Sequence, residues 1–331
     1  MAGPGHLGEF DLIARYLAPL SRTLPGSLDL TDDAAALAPP PGCDLVLTTD
    51  AMIEGVHFLA SDGPRSIARK ALRVNLSDLA AKGAQPYCYQ MVLGLPQAPD
   101  ESWMAEFAAG LAADQTEFGI ALSGGDTVRQ PDRLLVSITA IGLVPAGGML
   151  KRKGARAGDA LYVSGTIGDA ALALRARLHG ERFPPDALAY FGQRLDLPTP
   201  RVALGLGLAG IAHAALDVSD GLVQDAGHLA ALAGLTARIE AARVPLSTPA
   251  AACVKERPEL LAAMLSGGDD YEILFAAPVE AEAALAKLSQ TCGVAITRIG
   301  AFVPSEGAPG ASVLDADGQP MPLRAGGFQH F

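Results

Sequence analysis

No CxxC pair joins any of the four cysteines, Cys43, Cys88, Cys253 and Cys292, which stand far apart in 331 residues. The chain shows no signal-peptide pattern and no apolar run of bilayer-spanning length. These absences together predict reduced core thiols in a cytoplasmic protein. Positive charge is scarce as well: 25 Lys and Arg stand against 36 Asp and Glu, a net charge of −11. That balance argues against nucleic acid or an anionic membrane as partner. An acidic protein still handles phosphates when metal cations stand between the two negative partners. Low-complexity segments and internal repeats are missing too.

Several chemical signatures are also absent. No GxxxxGK[ST] loop occurs, which excludes a P-loop kinase. There is no GxSxG elbow, no HxxEH-type zinc spacing and no cysteine beside a plausible base. GLGLAG (205–210) fits GxGxxG by letter, but it ends a helical pattern and precedes a strand. The dinucleotide fingerprint needs the reverse context, so the run reads as a glycine-rich helix end.

What is present is a large core and two series of α/β elements. Half of the residues are hydrophobic, and 37 glycines and 24 prolines supply tight turns. The length favours two domains. Helical spacing over 8–20 puts Phe10, Ile13, Ala14 and Leu17 on one face. DLVLTTD (44–50), PYCYQMVLGLP (86–96), IALS and RLLVSITAIGLV (133–144) read as strands, with helices over 66–83 and roughly 100–117. PAGGMLKRKGARAGD (145–159) breaks the pattern, placing the boundary between domains of residues 1–145 and 146–331. ALYVSG opens the second series: helices over 167–179, 185–194, 199–209, from 221 and over 279–290, with strands HAALDVS, TARIE, YEILFAAP, AITRIGAF and SVLDADG. The predicted class is α/β (α+β), with a mixed sheet in the N-terminal domain.

Acids recur at one kind of place. LTDDAA (Asp32, Asp33), LTTD (Asp50), NLSD (Asp78), SGGDT (Asp126), DVSDG (Asp217, Asp220) and SGGDDYE (Asp269, Asp270) set carboxylates beside apolar residues, mostly with Ser, Thr or Gly. One such place alone reads as a helix cap or turn, as does DADG (315–318), a plain hairpin turn. Six of them suit hard divalent cations, which take carboxylate, hydroxyl and carbonyl oxygens and are shared with phosphate. DVSDG in particular reads as a strand end followed by a helix start whose free N–H groups would meet phosphate. If the acids of both domains converge, the metals lie in a cleft between them. Of the six histidines, His6 and His330 sit at the ends, and His179, His213 and His228 read as surface, packing or structural residues. Only His57, in EGVHF, adjoins a candidate site.

GEFDLIARYL, TDDAA, LTTDAMIEGVHF, KALRVNLSDLAAKGA, SGGDTVR, DVSDGLVQDAGH, SGGDDYEILF and GGFQHF follow the order found in the thiamine-monophosphate kinase family, and the resemblance runs nearly end to end. Its wider superfamily includes aminoimidazole ribonucleotide synthetase, selenophosphate synthetase and a hydrogenase-maturation protein. The resemblance implies ATP-dependent conversion of thiamine monophosphate to thiamine diphosphate, two α/β domains with ATP in the cleft, and a homodimer through the N-terminal domain. It also implies several Mg²⁺ ions held by Asp33, Asp50, Asp78, Asp126 and Asp217 with Thr48 and Thr49, and a further ion at Asp220. Gly125, Asp126, Arg152 and Ser219 resemble nucleotide contacts, and His57, Asp269 and Phe328 resemble thiamine-side contacts. No general base is assigned. The family pattern reads SGGEDYE, so Asp269 stands one methylene short of a Glu.

Two alternatives belong beside this reading. Another ATP-dependent enzyme of the superfamily is one, although MAGPGHLGEF lacks the reactive Cys of a selenophosphate synthetase and QHF lacks the cysteine motif of the hydrogenase-maturation protein. A non-catalytic domain binding divalent metal is the other.

Overall fold

The computed structural model describes residues 8–323 and divides into two compact units, residues 1–79 with 84–147 and residues 80–83 with 148–331. In the first unit α1 (Glu9–Leu12) leads to β1 (Cys43–Ile53), α2 (Pro64–Ala81), β2 (Gln85–Leu95), α3 (Glu101–Phe118), β3 (Ala121–Arg129) and β4 (Leu135–Pro145). The strands lie in the order β1-β4-β2-β3. β4 pairs antiparallel with both β1 and β2, while β2 and β3 run parallel, so the sheet is mixed.

Alternation along β4 fixes its two faces. Val136, Ile138, Ala140 and Val144 are buried, and the residues between them turn the other way. α2 covers the buried face. Its Leu72, Leu76 and Leu79, at i, i+4 and i+7, are fully buried, each contributing about 1.5–3 kcal/mol. α3 packs beside it through Arg69 and Arg73, which converge on the buried Asp114. The opposite face carries Leu45, Leu47, Thr49 and Ala51 of β1, all exposed.

The N-terminal segment departs from the helical spacing read in the sequence. α1 gives way to a π-helical turn over Ile13–Leu17, where the Ala18 N–H bonds to the Ile13 carbonyl, and then to a 3₁₀ turn. The extra residue per turn shifts the buried set to Leu12, Leu17 and Leu20, leaving Phe10 exposed.

The second unit holds β5 (Ala160–Ser164), α4 (Asp169–His179), α5 (Pro185–Asp196), α6 (Val202–Leu208), β6 (Ala214–Asp217), α7 (Leu222–Ala233), β7 (Leu235–Glu240), α8 (Thr248–Glu256), α9 (Leu260–Ser266), β8 (Ile273–Ala277), α10 (Glu282–Cys292), β9 (Ile296–Pro304) and β10 (Gly310–Leu314). Six strands lie in the order β10-β7-β9-β5-β8-β6, with only β10 and β7 parallel. Both faces are buried. Leu161, Leu216, Leu274 and Ile299 pack with α7 on one side, while Tyr162, Ala215 and Phe275 pack with α6 and α10 on the other. A strand buried on both faces reads as a continuous apolar run, which is how ILFAA is written. α8 and α9 have no counterpart in the sequence reading, although Ser247 caps α8 by accepting the Ala250 N–H. GLGLAG lies at the end of α6, with β6 after it. DADG makes the turn between Leu314 and Pro320.

Candidate active site

β1 alternates, so its even-numbered residues face α2. Thr48 and Asp50 share that face with the buried Val46 and Met52. The Thr48 hydroxyl donates to the Asp78 carboxylate on α2. The buried Asn75 accepts the Asp50 backbone N–H at 3.1 Å and donates to Ala71 of its own helix. NLSD thus fastens α2 to β1 and brings two carboxylates together. Burial, and then the neighbouring Asp78, push the Asp50 carboxyl up to about 6. This is an all-oxygen donor set with excess negative charge, which suits a hard divalent cation.

His57 stands in the reversal that follows β1. Its Nδ1 accepts the Ile53 N–H at 3.0 Å. The buried Lys70 of α2 donates to the His57 carbonyl at 3.2 Å, so the same helix that carries Asp78 also supports this loop.

Thr49, Asp33, Gly125 and Asp126 belong to the other side of the sheet. Thr49 is bonded to Thr139 of β4 at 2.8 Å. Thr139, Asp33, Gly125 and Asp126 line a cavity of about 420 Å³ beneath the N-terminal segment. Leu28, Asp29 and Leu30 approach it at φ of 52°, 53° and 57°, a conformation costing roughly 1–2 kcal/mol per non-glycine residue. Gly125 is obligatory: a Cβ there would lie 1.9 Å from the Met91 carbonyl oxygen.

Within one chain the candidate acids of the first domain fall into two groups. Asp50 on β1 and Asp126 on β3 lie three inter-strand steps apart, roughly 14 Å. The register also puts them on opposite faces, Asp50 opposite the buried Ile138 and Asp126 opposite the exposed Val92.

In the second unit, Asp217 ends β6 and is buried. Ser219 and Asp220 form the turn into α7, half-buried. SGGDDYE lies against this turn through three backbone bonds: Asp269 N–H to Ser219, Tyr271 N–H to Val218 and Val218 N–H to Glu272, at 2.8–2.9 Å. Asp217, Ser219, Asp220 and Asp269 therefore share one edge of the unit. Arg152 is exposed on the segment after Lys151, whose carbonyl accepts the Ala215 N–H of β6. Phe328 lies outside the described residues.

The DVSDG turn is ordered from within: the N–H groups of Ser219, Asp220 and Gly221, which precede α7, all donate to the Asp225 carboxylate at 3.1 Å. Asp225 is buried, and burial followed by the nearby Asp220 lifts its carboxyl to about 7. His228, one turn further along α7, is exposed beside Asp220 and Asp225, with one donor atom from each within 4.8 Å. The sequence analysis reads His228 as structural and does not single out Asp225, although the two stand three residues apart on α7. Two buried carboxylates follow in the next loop, Asp270, one of the recurring acids, and Glu272, which the motifs did not single out. Glu272 accepts from Ser164, Arg194 and Arg201, and Asp270 accepts the Gly168 N–H.

The comparisons with known proteins bear on this arrangement. Residues 31–144 match the AIR synthase related protein N-terminal domain, and residues 156–308 match its C-terminal domain. The chain is 46% identical over 302 residues to the thiamine-monophosphate kinase of Caulobacter vibrioides, covering 90% of this chain and 85% of that one. The chain belongs to the thiamine-monophosphate kinase family. A crystal structure of the Stenotrophomonas maltophilia kinase aligns at 41% identity and a TM-score of 0.80, over 88% of this chain and 91% of that one. AaThiL complexed with AMPPCP and TMP aligns at 31% identity and a TM-score of 0.76, over 98% and 97% of the two chains. Among the described residues, no helix is long and apolar enough to cross a membrane.

Proposed function

We propose that this chain transfers the γ-phosphoryl group of ATP directly to thiamine monophosphate, giving ADP and thiamine diphosphate. The observation that carries the reading is its 31% identity, across nearly the whole chain, to AaThiL complexed with AMPPCP and TMP. The test is ADP release, which should require thiamine monophosphate. Turnover of ATP without it would refute the reading.

The chemistry suits a site with no general base. The acceptor is a phosphate monoester whose second pKa is near 6, so its attacking oxygen is already ionised at neutral pH. The barrier is repulsion between polyanions, about 4 kcal/mol per pair of unit charges at ~4 Å and an effective dielectric of ~20. Mg²⁺ ions, when bound, would offset that charge and hold attacking and leaving oxygens in line. Asp33, Asp50, Asp78, Asp126 and Asp217, with Thr48 and Thr49, are the residues proposed to hold them, and Asp220 a further ion. Support comes from the all-oxygen donors and from the raised Asp50 carboxyl beside Asp78. Gly125, Asp126, Arg152 and Ser219 are assigned to the nucleotide, the serine through its side chain. His57 and Asp269 are assigned to the thiamine moiety.

We further infer a homodimer through the N-terminal unit. β1 and β3 are edge strands, and the open face between them exposes Leu45 and Leu47, an edge and a face that soluble proteins ordinarily cover. Bringing β1 of one copy beside β3 of another would also set Asp50 near the partner's Asp126, which one chain alone keeps apart. The four thiols, none in a disulfide, suit the reducing cytoplasm. Domain limits of 1–145 and 146–331 remain the proposed division.

A further inference from the structure

The backbone of SGGDDYE is strained at two positions that flank a buried anchor. Asp269 has φ 68° and Tyr271 has φ 52°, and a bulky aromatic residue in that region is a true outlier. Such a conformation persists only where its surroundings over-determine it, and here they do. Between the two, the buried Asp270 accepts the Gly168 N–H with both carboxylate oxygens, at 2.9 and 3.0 Å. The N–H groups of Asp269 and Tyr271 are tied to Ser219 and Val218. Gly268 admits nothing larger, since a Cβ there would sit 2.0 Å from the Ser219 carbonyl oxygen. Glu272, fully buried, is gripped by two arginines and Ser164.

The consequence of this strain is local and specific. It brings the side chains of residues 269 and 271 together, so that the Tyr271 hydroxyl donates to Asp269 Oδ1 at 3.1 Å. A carboxylate on a short side chain gains a fixed direction from that bond, one of its oxygens held by the phenol.

We propose that Tyr271 is a specificity-determining positioning residue: it holds the Asp269 carboxylate in the orientation that accepts a hydrogen bond from the aminopyrimidine of the acceptor substrate. This rests on the kinase reading above and adds a residue that the sequence motif alone does not single out. The phenol acts on the Asp269 carboxylate, so its proposed contribution is to acceptor binding and not to the transfer step.

Kinetics of Tyr271→Phe, Asp269→Asn and the double variant test this, with thiamine monophosphate and with the analogue whose pyrimidine amino group is replaced by a carbonyl oxygen. The expected result is a KM for thiamine monophosphate raised roughly 3- to 10-fold in Tyr271→Phe, with kcat within about two-fold and the KM for ATP unchanged. Preference for the amino over the oxo acceptor should fall. In the Asp269→Asn background the same change should add nothing, because Tyr271 acts through Asp269. An unchanged KM in Tyr271→Phe, or a full additional loss in the double variant, overturns the proposal while leaving the kinase reading intact. A wild-type chain that forms no thiamine diphosphate from ATP and thiamine monophosphate overturns both.

Discussion

Asp50 and Asp126 occupy opposite edge strands and opposite faces of one four-stranded sheet. If both serve one phosphate-binding centre, two copies of the chain must supply them. Mixing inactive Asp50→Asn subunits with inactive Asp126→Asn subunits should then restore activity, to about a quarter of wild type for random twofold dimers. Each mixed dimer would keep one site with both carboxylates. Absence of any recovery, with mixed dimers demonstrated by mass, would place the two residues in separate roles.

Asp50→Asn and Asp78→Asn should each abolish turnover without unfolding the chain. Both residues stand where Thr48 and Asn75 already order the oxygens around them. The same change should make the metal-free protein more stable. Folding holds the half-buried Asp50 beside Asp78 with its carboxyl near 6, so at pH 8 the folded state bears a penalty of up to about 3 kcal/mol that the amide avoids. Calorimetry without divalent ions should give Asp50→Asn the higher Tm. A lower Tm would mean that the charge is already compensated.

Asp225 should matter for the shape of the DVSDG turn. Alanine there strands three backbone N–H groups, a loss of about 1–3 kcal/mol, whereas asparagine retains an acceptor. Urea denaturation should therefore rank Asp225→Asn above Asp225→Ala in stability. Equal midpoints for the two would show that the three bonds contribute nothing net.

The cysteines divide by burial. Cys88 is buried, and its thiol is pushed up to about 11 by that burial. Cys253 is buried and also raised, while Cys43 and Cys292 are half-buried. At pH 8 iodoacetamide should modify Cys43 and Cys292 in the native chain and reach the other two only after unfolding. Early labelling of Cys88 would contradict the packing around β2.

Local pattern made most of the elements legible. Strands such as Leu135–Pro145 and helices such as Pro64–Ala81 announce themselves by alternation or by spacing. The N-terminal segment did not, because a π-helical turn breaks the 3.6-residue period on which the reading of Phe10 and Ile13 relied. The candidate residues were legible as motifs, but their grouping was not. Strand order is a non-local property, and nothing in SGGD or LTTD tells that β1 and β3 are the two edges. Asp225 was hidden for a related reason. Its partners are backbone N–H groups four to six residues earlier, and backbone groups leave no trace in residue identity.

The most direct test of the account follows the γ-phosphate. Wild-type protein is incubated with Mg²⁺, thiamine monophosphate and ATP labelled at the γ-phosphate, and the label is traced after separation. Label should appear in thiamine diphosphate, equal in amount to the ADP formed and dependent on thiamine monophosphate. Label recovered instead on the protein, or only as free phosphate, would contradict direct transfer.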